Sequence, residues 1–124
     1  MTVAENGDSL IGGQGRALRN VEVSLDAGAS RVTLVGEIDM ADAEPLQELL
    51  SGVVGRLRHV EVDMRGVRFI DSAGCHALLQ VARHAADVGG RITVLTTPGP
   101  VQKVLSLLEI EEILGVEKED VPPA

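Results

Sequence analysis

Leu46, Leu49, Leu50, Val53, Val54 and Leu57 fall at i, i+3, i+4, i+7, i+8 and i+11, one apolar stripe with helical period. On either side the period drops to two, in residues 31–38 upstream and 59–64 downstream. A helix of this length between two strands is what parallel pairing requires, because a tight turn can join only antiparallel neighbours. The chain is thereby committed to a sheet with parallel strands and helices packed on it.

The remaining segments extend this pattern. Residues 20–25 alternate strictly, and the turn at 27–30 makes them an antiparallel partner of the second strand. Asp39 or Asp42 can cap the first helix, with Pro45 in its first turn. After the third strand, Arg65-Gly66 reads as a break before the apolar strand segment 67–70. A second helix then carries Leu78, Val81, Ala82 and Ala85 at helical spacing and ends at Gly89-Gly90 in a left-handed cap. Residues 91–96 form a fourth strand. Pro98-Gly99-Pro100 opens a helix with Val101, Val104, Leu105 and Leu108 on one face, and residues 112–116 read as a short edge strand. The expected fold is α/β, one domain over residues 17–116 with a mixed four- to five-stranded sheet packed with helices. Residues 1–16 read as a flexible N-terminal arm and 117–124 as an acidic tail. No internal repeat is evident.

Charge and chemistry exclude several function classes. With 11 Lys and Arg against 19 Asp and Glu, net −8, the chain lacks the basic cluster that nucleic acid demands. No apolar run has the length of a membrane span and none follows a charged leader start. The single cysteine cannot close an intramolecular disulfide, so a cytoplasmic protein without membrane contact is expected. His59, His76 and His84 lack metal-ligand spacing, and Gly12-Gly13-Gln14-Gly15 has neither a preceding strand nor a following Lys-Ser/Thr. Without a Gly-x-Ser-x-Gly elbow, and with one Phe and no Tyr or Trp, neither enzyme nor cofactor is expected.

In a parallel sheet, partners meet the loops at the carboxyl ends of the strands, which here follow Ile38 and Ile70 and carry Asp39 and Ser72 to one rim. Ser72 falls at or next to a helix start, where unpaired N–H groups and the dipole favour an added phosphate, and Gly74 lets the backbone be approached. Ser72 also reads as a plain helix cap, or Asp71 caps and leaves Ser72 at the first helical position. Cys75 lies on the apolar side of the helix as an inert thiol, or, if exposed, as an oxidation site.

Gly36-Glu37-Ile38-Asp39 before the first helix, Phe69-Ile70-Asp71-Ser72-Ala73-Gly74 entering the second, and the glycine pair before a strand resemble the STAS domain of bacterial anti-sigma factor antagonists. The likeness runs from about Val21 to Val116 in the same order of strands and helices. It implies an anti-anti-sigma factor that binds an anti-sigma factor, usually a serine kinase of the histidine-kinase-like ATPase class, and so frees a sigma factor for transcription. It further implies that Ser72 is phosphorylated by that kinase, that a phosphatase reverses this, and that Asp39 lies at the partner interface. Asp71, Ser72, Ala73, Gly74, Cys75 and His76 complete the expected partner-binding stretch. The chain departs from the family pattern at Ala73, where a second Ser or Thr is common, and at Cys75-His76, which replaces Leu-Gly. It also ends before the long C-terminal helix of many relatives. The alternative role is a STAS scaffold or redox-responsive sensor subunit working through Cys75.

Overall fold

The structure, a computed structural model, describes residues 18–118. The expected N-terminal arm and all but the first two residues of the expected tail lie outside them. Strand β1 (Val21–Asp26) pairs antiparallel with β2 (Arg31–Ile38), Leu25 opposite Val32 and Val21 opposite Gly36. Helix α1 (Met40–Leu57) leads to β3 (His59–Ile70), and α2 (Ser72–Asp87) leads to β4 (Arg91–Thr96). Helices α3 (Pro100–Leu107) and α4 (Glu111–Leu114) precede β5 (Val116–Lys118). The five strands lie in the order β1-β2-β3-β4-β5, and every pairing after the first is parallel. Connections that advance one strand at a time place α1 and α2 side by side over one face of the sheet.

That face holds the core. Val32, Leu34 and Ile38 of β2, Val62, Met64 and Ile70 of β3, Leu46, Leu50 and Val54 of α1, and Leu78, Val81 and Ala85 of α2 all bury into one cluster. The opposite face carries ion pairs instead, Arg31 with Glu61 and Arg65 with Asp63. Among the described residues no helix is long and apolar enough to cross a membrane.

Four local expectations are corrected. Arg65-Gly66 does not interrupt the third strand, which runs unbroken for 12 residues. Two register shifts against β2, between Thr33 and Val35 and between Gly36 and Glu37, absorb two extra residues of β3. Those bulges turn Val67 and Ile70 toward the helices, so a broken period-two pattern remains a continuous strand with its apolar side chains buried. Helix α1 starts at Met40, which leaves Pro45 beyond the first turn, where its ring removes one helical N–H bond to the carbonyl of exposed Ala41. Leu108 terminates α3 and is half-exposed instead of joining Val101 and Leu105 in the core. Finally, the expected strand over 112–116 is the one-turn helix α4 followed by β5, and Glu117 and Lys118, read as tail, pair with Leu95 and Thr96.

Two features hold the sheet to its helices. Helix α2 ends as expected, Gly89 at φ 77° with its N–H on the Ala86 carbonyl and the Gly90 N–H on Ala85, 3.1 and 2.7 Å. Asp42 is fully buried in the first turn of α1, where its two carboxylate oxygens accept the backbone N–H groups of Arg19 and Asn20 at 2.7 and 3.1 Å. It is therefore no cap. It ties the entry to β1 onto α1, and the two backbone donors satisfy a carboxylate that burial would otherwise leave unpaired.

Candidate functional site

Ile38 and Ile70 are register partners at the ends of two parallel strands, and the Asp71 N–H donates to the Ile38 carbonyl at 3.1 Å. The residues that follow, Asp39 and Asp71, occupy equivalent places. Each has extended backbone, φ −120° and −101°, and each caps a helix with its side chain. Asp39 Oδ1 accepts from the Ala41 N–H and Asp71 Oδ1 from the Gly74 N–H, both at 2.9 Å. A carboxylate in this place satisfies an orphan amide and faces the positive helix end, each effect worth about 1 kcal/mol or less. Two helices thus spring from neighbouring strands with their N-termini on one rim.

The two alternatives left open for the cap of α2 are thereby resolved. Asp71 caps, and Ser72 is the first helical residue, exposed, with a hydroxyl that makes no hydrogen bond among the described residues. Ser72 and His76 stand in solvent, Asp39, Asp71 and Ala73 are half-buried, and His76 reaches Gln80 one turn on at 3.2 Å. These five are the part of the expected stretch that the rim displays.

Gly74 and Cys75 are buried and turn inward. Gly74 was expected to clear the way for a visitor; its space is taken instead by the sheet beneath. A Cβ there would sit 2.7 Å from Ile70 Cγ1 and 2.8 Å from Ile38 Cγ2, so the missing side chain lets the first turn of α2 rest on both isoleucines. Gly36 in the other motif serves a similar end. At φ 127° it admits the Asn20 carbonyl, which accepts the Glu37 N–H at 2.8 Å, where a Cβ would lie 2.2 Å from that oxygen. The motif glycines build the rim from below.

Cys75 is 2% exposed, and burial, helped by the Asp71 carboxylate, pushes its thiol up to about 11. The thiolate is the reactive form, so burial and the raised pKa both weigh against the redox-sensor alternative. At pH 8 the native thiol should be alkylated on the order of a hundredfold more slowly than in the unfolded chain, whose pKa is near the free value. Iodoacetamide kinetics with and without guanidinium measure this, and equal rates would restore the sensor reading.

The sequence carries one further signal of this site. Ile38-Asp39-Met40-Ala41 and Ile70-Asp71-Ser72-Ala73 share the pattern Ile-Asp-x-Ala, and the structure aligns them as strand end, cap and first helical residue of α1 and α2. Four residues are too few to stand out as a repeat, yet they mark Met40 as the counterpart of Ser72.

Solved structures share this architecture. A putative anti-sigma factor antagonist from Thermotoga maritima superposes with a TM-score of 0.60 at 14% identity, over 80% of this chain and 86% of that one. The anti-sigma factor antagonist SpoIIAA in its unphosphorylated form gives 0.58 at 18% identity, over 82% and 89%. At such identities the likeness is one of fold. A family model described as "Mlab, STAS domain" matches residues 21–115, from the first residue of β1 to the glycine before β5 and across both Ile-Asp-x-Ala segments. With strand order, paired caps and motif glycines all in place, this chain belongs to the STAS domain family.

Proposed function

We propose that this protein is an anti-sigma factor antagonist whose rim, in its unphosphorylated state, binds an anti-sigma factor and releases a sigma factor for transcription in the cytoplasm. The anti-sigma factor is a serine kinase of the histidine-kinase-like ATPase class that phosphorylates Ser72, and a phosphatase restores binding. One observation carries the reading: Asp71 performs the capping that would otherwise occupy Ser72, so the serine hydroxyl is exposed and uncommitted at a helix N-terminus. The two solved neighbours described as anti-sigma factor antagonists, one of them named for its unphosphorylated form, support the same role.

The physics of the switch is local. A phosphoryl group brings about −1.5 to −2 charges, which the N-terminal amides and dipole of α2 accommodate without unfolding the domain. Binding is where the cost falls, since a docked partner would have to strip water from that charge beside the Asp71 carboxylate. Incubating the protein with ATP and each anti-sigma kinase of its source organism, then mapping the product by mass spectrometry, should place the phosphate on Ser72 and nowhere else. Modification at another residue, or none with any of those kinases, overturns the proposal.

A further inference from the structure

At the end of the sheet away from Ser72, Arg58 closes α1 with φ 66° and ψ −55°. That combination lies outside the left-handed helical well, in the region of the positive-φ γ-turn, which is rare and strained for a residue with a side chain. Glycine is the usual residue where a helix ends at positive φ, because it meets no such strain. The Arg58 backbone is nevertheless pinned. Its N–H donates to the Val54 carbonyl at 2.8 Å and its own carbonyl accepts the Arg91 N–H at 2.9 Å. Gly90 packs so closely on that carbonyl that a Cβ there would lie 2.1 Å from the oxygen. The fold thus demands this backbone but does not use the side chain, since Arg58 is exposed and the ion pairs among the described residues involve Arg31, Arg65 and Arg68 instead. Strain held at a residue whose side chain stabilises nothing locally points to a use for that side chain.

Its surroundings are basic. His59 follows Arg58 in the chain and is the register partner of Arg91, and Arg56 lies in the last turn of α1; all four side chains are exposed. Of the carboxylates nearby, Glu61 is bonded to Arg31, and Asp87 at the end of α2 makes no ion pair with any of the four among the described residues. We infer that Arg56, Arg58 and Arg91 form a second docking surface, at the base of the sheet, for a short acidic segment of a partner protein. A guanidinium pairs with a carboxylate through two parallel hydrogen bonds, so a few carboxylates suffice to engage it. Nucleic acid and anionic lipid are disfavoured as occupants, because their binding sums many weak phosphate contacts and a chain of net charge −8 repels both. The base and the Ser72 rim lie at opposite ends of the 12-residue β3, roughly 35 Å apart, so the two surfaces can be occupied together.

A hexaglutamate peptide titrated into the isotope-labelled full chain, followed by nuclear magnetic resonance, tests this. The amide signals of Arg58, His59 and Arg91 should shift while that of Ser72 stays in place, and the affinity should fall as salt rises. Arg58→Gly separates the side chain from the backbone: it should melt no lower than the parent, since the strain is relieved, yet bind the peptide about fivefold more weakly. Arg91→Gln should weaken binding to a similar degree, whereas Arg68→Gln, which removes one positive charge elsewhere, should not. An unshifted spectrum, shifts confined to other residues, parental affinity in Arg58→Gly and Arg91→Gln, an equal loss in Arg68→Gln, or a lower melting temperature of Arg58→Gly overturns the inference. Tighter binding of a DNA duplex or a phosphatidylserine vesicle at the same residues, or a self-association that Arg91→Gln abolishes, assigns the base to that occupant and overturns it too.

Discussion

A Ser72→Glu variant should fold at least as stably as the parent and bind its anti-sigma factor roughly a thousandfold more weakly, a penalty of about 4 kcal/mol. The two effects run in opposite directions for one physical reason. Glutamate at the first position of α2 places negative charge at the positive helix end, which favours the free domain by about 0.3–1 kcal/mol. The same charge must lose its water when a partner closes over it, beside an Asp71 carboxylate already present. Ser72→Ala, by contrast, should bind as the parent does, since Asp71 and not Ser72 caps the helix. Titration calorimetry of the three proteins against the anti-sigma factor, with melting curves of each alone, reads both effects. Equal affinity of Ser72→Ala and Ser72→Glu would remove the electrostatic switch.

The second large effect concerns folding. Gly36→Ala should lose about 4 kcal/mol or more, a large share of the stability of a domain of this size. The added Cβ would stand 2.2 Å from the Asn20 carbonyl oxygen, and the backbone at φ 127° is one that residues with side chains rarely adopt. Neither strain has a cheap release, because the obstructing atom is backbone and is bonded to the Glu37 N–H. Gly55→Ala is the matched control. Gly55 lies on the exposed side of α1 with nothing within 4 Å of its would-be Cβ, so alanine there should raise stability by about 0.5–1 kcal/mol. Urea denaturation of the two variants reports the contrast, and a Gly36→Ala midpoint near that of the parent would contradict the close approach.

How far the site was legible varies residue by residue. That Asp39 and Ser72 share a rim followed from strand periodicity and a helical crossover, and the register Ile38 to Ile70 agrees. Which of Asp71 and Ser72 caps α2 was not legible, because both types cap well and the choice turns on backbone dihedrals at a single residue. Gly74 illustrates another limit. A glycine in a motif signals close approach but not from which side, and only the positions of Ile38 and Ile70 reveal that the sheet fills the space. Cys75 lay on the apolar side of its helix in either reading, yet whether its thiol is sealed depends on what packs above it.

By itself the sequence determined the alternation of strand and helix, the antiparallel start, the parallel crossovers and the glycine-ended second helix. These are set by short-range periodicity and turn chemistry, which the chain carries locally. Tertiary structure alone decided the bulges that keep β3 continuous past Gly66, the burial of Asp42 against Arg19 and Asn20, the pairing of β5, and the choice of Asp71 as the cap of α2. Each depends on atoms far apart in the chain meeting in a register that no local pattern encodes, because a one-residue slip between strands changes which side chains are buried and which face a partner.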